Sequence, residues 1–169
     1  SLRIFDPETQ RTISNVERLR LLPAREFPLD KEGINRFLNN WHDYFESATV
    51  HAAEISSIDK VWDGIKNIDR IQLYTSTNAY DSEFIERDFV AKNIKFDMVL
   101  DDGPHTLESM VDCITLYSPL IADDGILIIE DVQDITWLNK LNETVPEDLK
   151  KYIRNYDLRK IKRRYDDIV

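Results

Sequence analysis

FDMVLDDGPHTLES, residues 96–109, and DGILIIED, residues 124–131, carry the reading of the fold. Each is an apolar run that ends abruptly in carboxylates. Asp101 and Asp102 repel one another, and Glu130 and Asp131 repeat the pattern. Adjacent acids cost least at a strand end, where water or a cation can reach them. Both stretches therefore read as strands whose last residues lie on an exposed rim. Between them HTLESMVDCITLYSPLI (105–121) has helical spacing up to Pro119. Strand, helix and strand in that order predict a parallel pair joined by a helical crossover. The unbroken apolar character of FDMVL and GILIIE predicts strands buried on both faces.

Outward from this unit the alternation continues. RIQLYTST (70–77) reads as a strand, and DSEFIERDFVAK (81–92) as a helix with Asp81 in cap position. ATVHAAEI (48–55) reads as a short strand ending in Glu54. SIDKVWDGI (57–65) reads as a helix capped by Ser56 or Ser57. INRFLNNWHDYF (34–45) has apolar residues at helical spacing, and RLRLLPAREF (18–27) is a poor strand candidate broken by Pro23. YDLRKI and a last run, DDIV, follow, and the chain is expected to stop inside a strand. Residues 1–17 are polar and aperiodic and read as an N-terminal arm or docking segment before a domain over 18–169. Ligands of such α/β domains bind outside the carboxyl ends of the strands. That rim would gather Glu54, the 75–78 segment, Asp101–His105 and Glu130–Asp131.

Composition narrows the function classes. The 169 residues carry a net charge of −10, which argues against broad binding to nucleic acid or anionic membranes. No apolar run is long enough to insert in a membrane. The basic cluster LRKIKRR (158–164) reads as a solvated strand edge. One cysteine, Cys113, fits a reducing, cytoplasmic compartment, and its neighbours Met110, Ile114 and Tyr117 mark it as a packed thiol. His42 and His51 read as ordinary helix and strand residues, and Trp41, Phe45 and Trp62 as packing positions. Trp137, just past the second acidic strand end, is placed to border an acceptor pocket.

FDMVLDDGPHTLES followed by LIADDGILIIEDVQDITW resembles the class I S-adenosylmethionine-dependent methyltransferases. The likeness is to the branch that methylates sugar hydroxyls in macrolides and related glycans, with its D-D-G-x-H and E-D motifs. Pro104 stands where that branch usually has serine, and ADDG replaces its glycine turn. The resemblance implies a Rossmann-like, doubly wound α/β fold. Its mostly parallel sheet would hold about seven strands in the order 3-2-1-4-5-7-6, with helices on both faces. It implies S-adenosylmethionine and Mg²⁺ as cofactors, with Asp102 and Asp131 as metal ligands and His105 as the base that deprotonates the acceptor hydroxyl. Glu54 would hold the cofactor ribose, and Asn78, Asp101, Glu26 and Gly33 would complete its site. The partner implied is a small-molecule or glycan acceptor, and a homo-oligomer or additional domains stay open. For Asp102 and His105 a plainer reading is that they only cap the helix that follows.

The first loop departs from the family pattern. AREFPLDKEGINRF offers Gly33 alone, and Pro28, which lacks an N–H, takes the place of the first glycine. Two readings follow: an O-methyltransferase with a divergent cofactor loop, or an inactive methyltransferase-like binding or scaffolding module.

Overall fold

The computed structural model describes residues 3–6, 11–14, 47–61, 63–162 and 168–169. Glu26, Gly33, His42, Trp41, Phe45 and Trp62, with the expected helix over 34–45, lie outside the described residues. The chain divides into two compact units, one of Ser1–Ala52 and Ile58–Leu73, the other of Ala53–Ser57 and Tyr74–Val169.

In the first unit β1 (Arg3–Asp6) pairs antiparallel with β2 (Arg11–Ser14), with Ile4 opposite Ile13. The start of β3 (Val50–Glu54) and of β4 (Ile71–Thr75) also belongs here. β3 and β4 form a two-stranded sheet. The Val50 N–H donates to the Arg70 carbonyl at 2.8 Å. Val61, Ile65 and Ile71 make a small core, joined by Val50, Ile68 and Leu73. The segment expected as one helix over 57–65 instead makes two single 3₁₀ turns, Ile58–Lys60 and Asp63–Ile65.

The second unit is built on β5 (Phe96–Asp101) and β6 (Ile121–Ile129), which run parallel with Asp101 opposite Ile129. Between them α2 (Leu107–Tyr117) makes the crossover. Ahead of β5 come α1 (Ser82–Ile85) and a π-helical turn over Glu86–Val90. Asp81 caps α1 by accepting the Glu83 N–H. The register of β5 and β6 slips after Phe96, which pairs with Ile121 while Met98 pairs with Ile126. The looped-out ADDG stretch needs its glycine: a Cβ on Gly125 would lie 2.7 Å from the Phe96 carbonyl oxygen.

α2 faces two clusters with alternate pairs of its buried stripe. Cys113 and Tyr117 pack with Phe84, Ile85, Phe89 and Leu120. Met110 and Ile114 pack with Val132, Leu141 and Ile168. The first cluster is aromatic, with Phe89 edge-on to Phe84, Tyr74 and Phe96 at centroid distances of 5.1, 5.6 and 5.0 Å. The second is closed by α3 (Trp137–Thr144), which buries Leu141, and by Ile168, which is fully buried. Ile168 bridges Asp157, and its carbonyl accepts the Val132 N–H at 3.0 Å. Arg159–Lys162, expected within a strand, is a helical turn, α4.

This architecture corrects the expected fold. Among the described residues the strands form three separate two-stranded sheets, and no seven-stranded, doubly wound sheet with helices on both faces is present. The alternation of periods fixed local pairing across one crossover, but lateral order depends on long-range registers that no local pattern encodes. The apolar runs also misled. β5 and β6 are mostly half-buried and Ile126 is exposed, so unbroken hydrophobicity did not mean burial on both faces. No helix among the described residues is long and apolar enough to cross a membrane.

Candidate metal centre

The carboxyl ends of β5 and β6 lie side by side, and the Glu130 N–H extends the ladder to the Asp101 carbonyl at 3.1 Å. Just beyond, one oxygen each of Asp102 and Asp131 and a ring nitrogen of His105 fall within 4.8 Å of one another. The His105 Nε2 is 3.1 Å from Asp102 Oδ1. His105 and Asp131 both have left-handed backbones, with φ of 54° and 52°. Residues with a Cβ adopt that region uncommonly, Asp and His more often than most, and Ser76 and Asn93 share it in this chain.

Capping does not explain these residues. The cap of α2 is Thr106, whose hydroxyl accepts the Ser109 N–H at 3.1 Å, while the Ser109 hydroxyl accepts the Thr106 N–H at 3.3 Å. That reciprocal box satisfies the helix start and leaves Asp102 and His105 turned to one another.

Two carboxylates and an imidazole make a donor set that a divalent cation can use. Oxygen ligands suit Mg²⁺, with water or acceptor oxygens completing its shell. The imidazole adds a nitrogen that Mn²⁺ or Zn²⁺ accepts more readily than Mg²⁺ does. Asp102 and Asp131 are the carboxylates that such an ion would use, with His105 beside them.

The residues expected around a cofactor have other partners. Asp101 is 8% exposed, and its Oδ1 accepts the Tyr80 hydroxyl at 2.5 Å. Burial pushes the Asp101 carboxyl upward, opposed by the Tyr80 bond and the nearby His105 and Gly103 N–H. Burial and the Asp101 contact raise the Tyr80 hydroxyl well above the usual phenol range, so Tyr80 is the donor of the pair. The Glu54 Oε1 accepts the Ser56 N–H at 2.7 Å, and the Asn78 Oδ1 accepts the Tyr80 N–H at 3.0 Å. Each of these carboxylate or amide groups stabilises a local turn. Trp137 packs half-buried against the cluster of Met110 and Val132. Cys113 is buried, and its thiol is pushed up by desolvation, which makes it inert. His51 is half-buried on β3.

Tyr80 was missed from the sequence. It lies 21 residues before its partner Asp101, and a tyrosine in a turn carries no local mark of such a contact.

No protein-family model matches the chain, and no solved structure matches it. A stretch of 46 residues, 27% of the chain, is 54% identical to the transcription-repair-coupling factor of Escherichia coli strain K12. A stretch of 45 residues is 44% identical to the transcription-repair-coupling factor of Haemophilus influenzae. The chain spans 4% of the length of either relative.

Proposed function

We propose that this chain is a divalent-metal-dependent O-methyltransferase that uses S-adenosylmethionine to methylate a sugar or polyol hydroxyl. The observation that supports the reading is the convergence of Asp102, His105 and Asp131 at two adjacent strand ends. When bound, S-adenosylmethionine supplies the methyl group, and the divalent cation supplies positive charge that acidifies a chelated hydroxyl. Asp102 and Asp131 would hold that cation. His105 lies beside the same spot, and its ring nitrogen not paired with Asp102 would take the acceptor's hydroxyl proton there. The Asp102 carboxylate, 3.1 Å away, stabilises the imidazolium that results. The methyl-transfer half of the reading is carried by the DDGPH and ED motifs and their likeness to the sugar methyltransferases.

The second reading, a non-catalytic binding or scaffolding module, draws support from the three separate two-stranded sheets of the described residues, which depart from the doubly wound sheet of the methyltransferases. Calorimetric titration of S-adenosylhomocysteine separates the two. Micromolar binding in the presence of Mg²⁺ supports the enzyme. No heat of binding to a folded chain, with or without EDTA, overturns the methyltransferase.

A further inference from the structure

We infer that Tyr80 is a positioning residue for the metal loop, acting through Asp101 to hold the ligand Asp102 and the base His105 in register without touching the ion or the acceptor. The inference rests on the metal reading of the site given above.

Three contacts carry it. Tyr80 stands in the turn between β4 and α1, fixed there by its own N–H on the Asn78 side chain at 3.0 Å. Its hydroxyl donates to Asp101 Oδ1 at 2.5 Å. The Gly103 backbone also lies directly on the tyrosine, since a Cβ there would come within 2.0 Å of the Tyr80 hydroxyl oxygen. Gly103 sits between the ligand Asp102 and the base His105, one residue after the first and two before the second. His105 has a left-handed backbone, a region visited by a minority of residues with a Cβ, and the contacts at Gly103 precede it by two residues. The buried Asp101 and the half-buried Tyr80 supply the hold on this loop at the exposed Gly103. Asp101 therefore acts as the hub between the tyrosine and the loop.

A second tyrosine provides the comparison. The Tyr117 hydroxyl donates to the Ala79 carbonyl at 2.8 Å in the same aromatic cluster and does not touch the loop. Tyr80→Phe and Tyr117→Phe each remove one hydroxyl from a half-buried or buried ring. A merely structural role predicts similar effects from both.

The test titrates Mn²⁺ into the full chain and its two variants and follows free Mn²⁺ by electron paramagnetic resonance. Amide hydrogen exchange of residues 102–105 is measured without metal. Tyr80→Phe is expected to weaken Mn²⁺ affinity about tenfold or more and to speed exchange in the loop, with β5 still protected. Tyr117→Phe is expected to leave both unchanged. Wild-type Mn²⁺ affinity and unaltered loop exchange in a folded Tyr80→Phe variant overturn the inference. If the wild type binds no Mn²⁺ while Tyr80→Phe still frees the loop, the metal reading fails and the positioning role assigned to Tyr80 fails with it. In that case the clamp itself stands.

Discussion

Replacing Gly103 by alanine tests how closely the tyrosine and the loop are fitted. The new Cβ would lie 2.0 Å from the Tyr80 hydroxyl oxygen, where real Cβ atoms essentially never come closer than 3.0 Å. Something must therefore move by about 1 Å, and the mobile partner is the tyrosine. A 2.5 Å bond stretched that far no longer qualifies as a hydrogen bond. Losing a bond to a carboxylate costs about 1.5–3 kcal/mol, and the residual crowding adds about 1–3 kcal/mol. We expect roughly 3 kcal/mol of destabilisation or more from Gly103→Ala. With the hydroxyl already removed, the nearest atoms to the new methyl are Asp101 Oδ1 at 3.1 Å and the ring Cζ at 3.2 Å, tight but tolerable. Adding Gly103→Ala to Tyr80→Phe should then cost only about 1 kcal/mol. The coupling is about 2 kcal/mol, with the double variant more stable than the two single effects predict. Urea denaturation of the four proteins, followed by circular dichroism, measures it. Effects that add within about 0.5 kcal/mol would refute the claimed contact.

Phe89→Ala should destabilise the second unit by about 3–5 kcal/mol, because Phe89 is 2% exposed and meets three rings edge-on. A loss below about 1.5 kcal/mol in the same denaturation assay would contradict that packing. Cys113 should react with Ellman's reagent only as the chain unfolds in urea, since burial both hides the thiol and disfavours its thiolate; rapid labelling of the native chain would count against it. Asp101→Asn tests the buried carboxyl. Its folded pKa is raised above the ordinary 3.8, so the wild type loses stability as pH rises from 3.8 through the raised value. The variant should gain on the wild type across that window, and parallel pH profiles would show the group to be unperturbed.

The candidate site was more legible in the sequence than the fold was. Asp102 and His105 are three residues apart on one loop, and Asp131 follows the neighbouring strand, so local pairing of β5 with β6 was enough to bring them together. The lateral order of strands was not legible, because it is set by contacts across long loops. Nor were the two 3₁₀ turns over 58–65, where Asp63, Gly64 and the β-branched Val61 work against a continuous helix. Thr106 and Ser109 spell a reciprocal cap with serine in place of the usual glutamate, and the sequence reading passed over it.

The π-helical turn over Glu86–Val90 bears on how this chain tolerates changes of length. Its wide hydrogen bonds, Ala91 to Glu86 and Ile94 to Phe89, each span five residues in place of four. The next core-facing position after Phe89 is thereby postponed by one, so that Ile94 packs inward and Asn93 faces solvent. A surface turn ordinarily accepts the loss of a residue. Here a single deletion between 90 and 92 would restore ordinary helical phase with Ile94 one place earlier, whereas an insertion would carry it off the core. The segment is asymmetric toward insertions and deletions, and a lineage of such chains would be expected to shorten here more readily than to lengthen.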